Sequence, residues 1–276
     1  IIGIINGTTN YILSKMTIDG IEFEDALKEA QEKGFAEADP TSDIDGFDAV
    51  YKLAIMASLS FGTKINHDCI YREGIRNISK IDIEYAKKFG YTIKLLAIAK
   101  EENNKLELRV HPTLVPSNHP MANVNDVFNA ILIKGNAVGE LMLYGKGAGD
   151  LPTGSAVVGD IISILRNNVK PSDVSYLDRN VDLKKVKKSE ENESEFYIRF
   201  NVKDKAGVLG DTAAIFGANN VSIISVTQDI RHESYVTLVF ITHKSLEKNI
   251  RNSLKKIEEL ANVNKTESII RIESFN

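Results

Sequence analysis

The stretch Gly34-Phe-Ala-Glu37-Ala-Asp39-Pro-Thr-Ser-Asp43-Ile-Asp45-Gly46-Phe-Asp48-Ala-Val-Tyr-Lys52 packs five carboxylates into a short window, then carries one of them up a helix to a lysine. Asp48 and Lys52 are four residues apart, so both side chains leave the same helix face. The residues that follow, Leu-Ala-Ile-Met-Ala-Ser-Leu-Ser-Phe, read as core. The pattern predicts a helix from about Asp45, as N-cap, to Phe61, stopped by Gly62, with Lys52 where side chains begin to enter the interior. A charged pair at that position, facing an acidic loop, suits a small polar molecule that carries a cationic group.

Working outward, Gly3-Ile-Ile-Asn6-Gly7-Thr8-Thr9-Asn10 reads as a strand end and turn, with Thr8 or Thr9 capping a helix that starts at Tyr11. Residues 21–33 place Phe23, Ala26, Leu27 and Ala30 on one helical stripe before Gly34. Shorter helices are expected near residues 67–75 and 81–89. Two segments beginning at Tyr91 and Lys105 alternate at period two around a Glu101-Glu-Asn-Asn turn, and segments from Ala130 and Gly139 extend the sheet. A second glycine-rich loop, Tyr144-Gly145-Lys-Gly147-Ala-Gly149-Asp150, leads to a helix over 156–166. The fold class is α+β with a mixed sheet. Domains are expected at 1–170 and 195–276, joined by a linker at 171–194 that includes the basic run from Lys184 to Lys188. The second domain reads β-α-β-β-α-β, the ferredoxin-like order. The opening Ile1-Ile-Gly-Ile-Ile reads as mid-strand, which is expected of a fragment of a longer protein.

The chain has 276 residues, 43% hydrophobic and 26% charged, with a formal charge of -4. That mildly acidic balance gives no electrostatic reason to bind nucleic acid or an anionic membrane. One cysteine, Cys69, excludes an internal disulfide and fits a reducing, cytoplasmic setting; a buried or half-buried structural thiol is expected. No apolar run approaches a membrane span. His67, His111, His119, His232 and His243 lack metal-ligand spacing, with His111 and His119 expected in loops beside prolines. An EF-hand register with Gly46 sixth would put Thr41 first and Lys52 twelfth, where calcium loops need acids, so calcium is rejected. A solvated acidic loop and an amino-group pocket both remain open. A desolvated lysine exchanges protons near neutral pH, and carboxylates beside it hold the proton on, which suits a proton donor to a developing alkoxide.

The run from Gly3 through Leu13, the pattern from Ala26 through Gly34, Glu37, Asp43, Gly46 and Asp48 to Lys52-Leu-Ala-Ile, Glu73-Gly-Ile-Arg, and Gly147-Ala-Gly149 followed by Leu-Pro-Thr together resemble the catalytic domain of homoserine dehydrogenase. Asp204 with Gly207-Val-Leu, in the β-α-β-β-α-β order, is similar to an ACT regulatory domain. The resemblance implies NAD(P)-dependent interconversion of L-homoserine and L-aspartate 4-semialdehyde, a step toward threonine, methionine and isoleucine. It implies that Glu37 and Asp48 hold the substrate, that Lys52 gives or takes the proton, and that Thr8 and Asp43 line the pocket. It also implies that Gly34 and Gly149 approach the nicotinamide end of the cofactor, with no other metal than a monovalent cation held in a segment absent here. A homodimer or larger homo-oligomer is implied, and an amino-acid effector such as threonine at the ACT domain. The chain contains no G-x-G-x-x-G turn, since Gly145-Lys-Gly147-Ala-Gly149-Asp150 lacks the final glycine, so the isolated chain is expected to be inactive. The competing readings are an amino-acid-binding ACT sensor on a dimer scaffold, and a cation-binding structural domain that Lys52 weakens.

Overall fold

An asparagine, not a threonine, starts the first helix. In the computed structural model, which describes residues 1–167, 184–232 and 235–275, Asn6 is extended and its side chain accepts from the Thr9 backbone N–H. Thr8 and Thr9 lie inside the helix, because Asn6 already supplies the oxygen that a first turn needs.

The elements run β1 (Ile2–Ile4), α1 (Gly7–Asp19), α2 (Phe23–Glu32), α3 (Thr41–Ile44) and α4 (Phe47–Phe61). There follow β2 (Tyr71–Arg72), α5 (Lys80–Lys88), β3 (Tyr91–Glu102), β4 (Lys105–Pro116), β5 (Phe128–Gly135), β6 (Gly139–Lys146) and α6 (Asp150–Asn167). The last part holds β7 (Lys185–Val186), β8 (Glu193–Val202), α7 (Val208–Ala218), β9 (Ile223–His232) and β10 (Tyr235–Thr242). It closes with β11 (Ser245–Leu246), α8 (Glu247–Glu258) and β12 (Val263–Ile272). Two compact units emerge. The first comprises Ile1–Arg76, Leu95–His111 and Asn123–Val186; the second comprises Asn77–Lys94, Pro112–Ala122 and Lys187–Asn276.

In the first unit the strand order is β6-β5-β1-β3-β4. Short β1 is central and antiparallel to both neighbours, with Ile2 opposite Ile98 and Leu132. Its apolar residues are buried, so the chain leaves the sheet interior at Asn6, where the site begins. Asn103 and Asn104, both at positive φ (50° and 57°), make the tight turn between β3 and β4. The helix expected near 67–75 is instead a single 3-10 turn, His67–Cys69, followed by β2, which pairs parallel with β4. Cys69 on that turn is exposed, not buried. His111 is inside β4 and fully buried, not in a loop; the period-two run simply continues through it to Pro116. Helix α6 begins at Asp150 with Pro152 in its first turn, earlier than expected, because proline is at home there. Of the expected linker, residues 171–183 lie outside the described residues. Lys185 and Val186 form β7 against β4, and Lys184 pairs with Glu101 at 2.5 Å.

In the second unit the order β12-β8-β10-β9 is that of a ferredoxin-like sheet. Alternation along β8 sends Phe196, Ile198 and Phe200 into a core with Phe216, Phe240, Ile250 and Ile257. Tyr197 and Arg199, which alternate with these along β8, meet α5. There Asp82 accepts from Arg199 Nε at 2.8 Å and from the Tyr197 hydroxyl at 3.0 Å. The same carboxylate completes the capping box of α5 with Ser79. Burial and the nearby Asp82 charge push the Tyr197 phenol well above its ordinary value, so it stays a donor. Among the described residues, no helix is long and apolar enough to cross a membrane.

Candidate active site

The acidic window folds as two helices hinged on a glycine. Asp45 ends α3, its N–H bonding back to Thr41, and Gly46 takes φ 82° to begin α4. Only glycine holds that conformation cheaply. Asp45 is therefore not the N-cap of α4; its carboxylate instead takes Arg76 Nε at 2.5 Å. The hinge turns Asp43 and Asp48 toward the end of β1, where Asn6 waits. Asn6 Nδ2 donates to Asp43 Oδ1 at 2.7 Å and to Asp48 Oδ2 at 2.9 Å. Its Oδ1 meanwhile accepts from the Thr9 N–H at 2.9 Å and the Thr9 hydroxyl at 3.0 Å. One buried amide thus starts α1 and ties two carboxylates from elements roughly forty residues downstream, separations of 37 and 42 positions.

Lys52 completes the group. Its Nζ lies 2.8 Å from Asp48 Oδ2 and donates to the carbonyl of Ile5 at 3.1 Å. The predicted desolvation is not found: the Lys52 side chain is 47% exposed. The segment after it is amphipathic, burying Leu53 and Ala57 while leaving Ile55 and Leu59 in the open. Lys52 is held in place by two acceptors, not by apolar burial.

These side chains open onto one cavity of about 420 Å³ in the first unit. Asn6, Thr8, Asp43, Asp48 and Lys52 line one part of it, and Gly34 and Phe35 after α2 line another. The loop from Lys146 to Gly149 and Asn129 of β5 complete the wall. Thr8 Oγ1 donates to the Phe35 carbonyl at 2.7 Å, pinning the turn after α2 against the start of α1. Glu37 is not among the lining residues. It is exposed, on a turn held through its carbonyl by Gln31 Nε2 at 3.0 Å. The structure thus brings Thr8, Asp43, Asp48, Lys52, Gly34 and Gly149 together and leaves Glu37 outside. Asn6, Asn129 and Lys146 were not singled out from the sequence. Asn6 had a signal, since asparagine directly before a helix is a preferred cap; Asn129 is the second residue of β5, where nothing marks it.

Gly34 and Gly149 take φ 74° and 115°, and nothing stands within 4 Å of where a Cβ on Gly34 would lie. Bare backbone there leaves room for a flat group to approach closely. Among the described residues no group of three or more His, Cys, Asp or Glu is placed to hold a metal ion.

The sequence profile described as homoserine dehydrogenase matches residues 1–162, more than half the chain. The chain belongs to the homoserine dehydrogenase family. The ACT domain profile matches residues 196–262. A homoserine dehydrogenase of Neisseria gonorrhoeae is 43% identical over 282 aligned residues, covering 100% of this chain and 65% of that protein. A crystal structure of a homoserine dehydrogenase from Thiobacillus denitrificans superposes with a TM-score of 0.92 at 41% identity, covering 100% of this chain and 64% of that one. A hyperthermophilic archaeal homoserine dehydrogenase mutant, solved in complex with NADPH, matches at TM-score 0.50 and 34% identity over 60% of this chain and 47% of that one. The chain therefore spans just under two thirds of the length of these bacterial relatives.

Proposed function

We propose that this chain supplies the substrate pocket and proton-transfer group of an NAD(P)-dependent homoserine dehydrogenase, interconverting L-homoserine and L-aspartate 4-semialdehyde on the route to threonine, methionine and isoleucine. The observation that carries it is the hydrogen-bonded knot of Asn6, Asp43, Asp48 and Lys52 on a single cavity wall. Two carboxylates held by one amide suit the substrate's ammonium. The Gly7 and Thr8 N–H groups, in the first turn of α1, suit its carboxylate. Glu37, on the turn shared with Gly34, is proposed as a further carboxylate for the ammonium.

Lys52 then faces the substrate oxygen. In the reducing direction it donates to the aldehyde oxygen as negative charge develops there, and in the oxidising direction it receives the hydroxyl proton. Asp48, 2.8 Å from the ammonium, fixes its position and neutralises its charge in the resting site. Thr8, whose hydroxyl proton is committed to Phe35, keeps lone pairs available as acceptors. Gly34 and Gly149 would border a bound nicotinamide, which would supply the hydride acceptor or donor.

The division into a catalytic domain at 1–170 and an ACT regulatory domain at 195–276 belongs to the same proposal, as does an amino-acid effector at the latter. A homodimer is supported by α6, which leaves Val157, Ile161, Ile164 and Leu165 exposed, and by edge strand β6, with Leu141 and Leu143 exposed. The absence of a G-x-G-x-x-G turn from the 276 residues predicts homoserine binding without steady turnover. Isothermal titration with L-homoserine tests the proposal: heat is expected, and is lost in Lys52→Ala and Asp48→Ala. Heat from threonine alone, lost on deleting residues beyond 194, would instead establish an amino-acid sensor.

A further inference from the structure

Gly74 is bare for lack of room, not for conformational freedom. Its φ is outside the left-handed region, but a Cβ there would stand 2.3 Å from the Ile44 carbonyl oxygen and 2.5 Å from the Asp45 Cα. The backbone around Gly74 therefore lies directly against the hinge between α3 and α4. The Ile75 N–H donates to the Ile44 carbonyl at 2.8 Å, and both side chains are fully buried. Arg72 donates to the Asp45 carbonyl, and its guanidinium lies 3.6 Å from the centre of the Phe47 ring. Arg76 forks onto the Asp45 carboxylate, with Nε 2.5 Å from Oδ1 and Nη2 3.3 Å from Oδ2. The same Nη2 donates to Thr41 Oγ1 at 3.3 Å. This clasp has a fixed base, because β2 pairs with β4 and the Glu73 N–H donates to the Val110 carbonyl at 2.8 Å.

Residues 72–76 are not among those lining the cavity. What they grip is the backbone between Asp43 and Asp48. Helix α3 has four residues, too few to hold its own geometry, so the place of Asp43 depends on what packs against it. The Arg76 side chain is 47% exposed, and an ion pair that open adds little to the stability of a fold. Its bonds nevertheless converge on the start of α3 and on the residue that ends it. Asn6 holds the two carboxylates, and the clasp holds the turn that carries them.

We propose that Gly74 and Arg76 are positioning residues of the candidate site. Acting through Asp45, they fix the hinge between α3 and α4, and with it the spacing of the Asp43 and Asp48 carboxylates that receive the ligand's cationic group. The link to ligand binding rests on the proposed function.

The 276-residue chain is followed by NMR and calorimetry. The Asn6 side-chain amide bonds to Asp43 and Asp48 and so reports on the hinge. The Asn10 side-chain amide donates to the carbonyls of Val124, Asp126 and Phe128 and serves as the internal control. In Arg76→Ala, hydrogen exchange of the Asn6 amide is expected to quicken about tenfold with Asn10 unchanged, and L-homoserine to bind about tenfold more weakly. The urea midpoint is expected to stay where it is. Gly74→Ala is expected to act in the same direction; if it fails to fold, Arg76→Ala decides alone. Arg76→Ala and Asp45→Ala together are expected to weaken binding no further than either alone, since both cut one link. An Asn6 amide that exchanges as in wild type in Arg76→Ala, Asn6 and Asn10 quickening together, or additive losses of affinity overturns the assignment and leaves the proposed function standing. A wild-type chain that binds no L-homoserine overturns the proposed function, and exchange of the Asn6 amide then decides the positioning role by itself.

Discussion

Asn6→Asp isolates what the central amide contributes. The variant keeps the oxygen that caps α1, so the bonds from the Thr9 N–H and hydroxyl persist. It removes the donor and sets a third carboxylate 2.7 and 2.9 Å from Asp43 and Asp48. At about 3 Å and an effective dielectric near 20, each such repulsion is worth about 5 kcal/mol. The protein has a way out, because the new carboxyl can take up a proton. Holding an aspartic acid protonated at pH 7 against an ordinary value near 3.9 costs about 4 kcal/mol, which caps the loss. Once protonated, the group donates again to one of the two carboxylates and recovers part of it. The expected destabilisation is therefore about 2–4 kcal/mol at pH 7, read by urea unfolding. The gap to wild type should narrow steadily as pH falls from 7 toward 4, since protonation then becomes cheap. Asn6→Ala, which loses the cap as well, should show no such narrowing. Equal stability of Asn6→Asp and wild type at pH 7, or a gap indifferent to pH, would show that Asp43 and Asp48 are not tied by this residue.

In the second unit, Asp82→Ala leaves the buried Arg199 guanidinium without its carboxylate and should cost about 3–5 kcal/mol in chemical denaturation, with Asp82→Asn less severe. Gly147→Ala forces a methyl into the Asn129 amide, so a loss of about 1–3 kcal/mol and weakened homoserine binding are expected, both relieved by adding Asn129→Ala. Burial holds the Lys94 ammonium down to about 8, against an ordinary 10.5, so its folded state favours the neutral form. Wild type should accordingly gain about 3 kcal/mol on Lys94→Met as pH rises from 8 to 10.5, and lose that gain as pH falls back through 8; a pH-independent difference between the two would contradict this.

Local patterns in the sequence carried over well, and non-local ones did not. The four-residue spacing of Asp48 and Lys52 is realised as a 2.8 Å ion pair, and the period-two runs became β3 and β4. The β-α-β-β-α-β order gave the strand neighbours of the second unit because a ferredoxin-like sheet has few alternatives. Caps were misplaced where two candidates competed: Asn6 displaced the threonines, and Gly46 displaced Asp45 because the turn between α3 and α4 requires positive φ. Lys52 was expected to be desolvated because the apolar run after it was counted without its phase. Ile55 and Leu59 lie on the open face of α4, and an apolar residue exposed in one chain looks the same in sequence as one in a core.

The parts of the site that stayed hidden share one property, a polar group serving two distant partners at once. Asn6 caps its own helix and grips carboxylates 37 and 42 positions away; Asp82 closes its own capping box and neutralises Arg199, 117 positions away. The local half of each role is visible in sequence as an ordinary cap, and an ordinary cap needs nothing further to explain it. The long-range half depends on where the sheet delivers the partner, which no spacing rule encodes. Asn6 also shows why such double duty suits a binding site. An amide that is anchored by its helix has little freedom left, so Asp43 and Asp48 are held at fixed positions before any ligand arrives, and little further ordering is required when an ammonium enters. A carboxylate pair held only by solvent would need that ordering at the moment of binding. The acidic window therefore supplies the carboxylates of the pocket, while an unremarkable asparagine just past a three-residue strand sets their geometry.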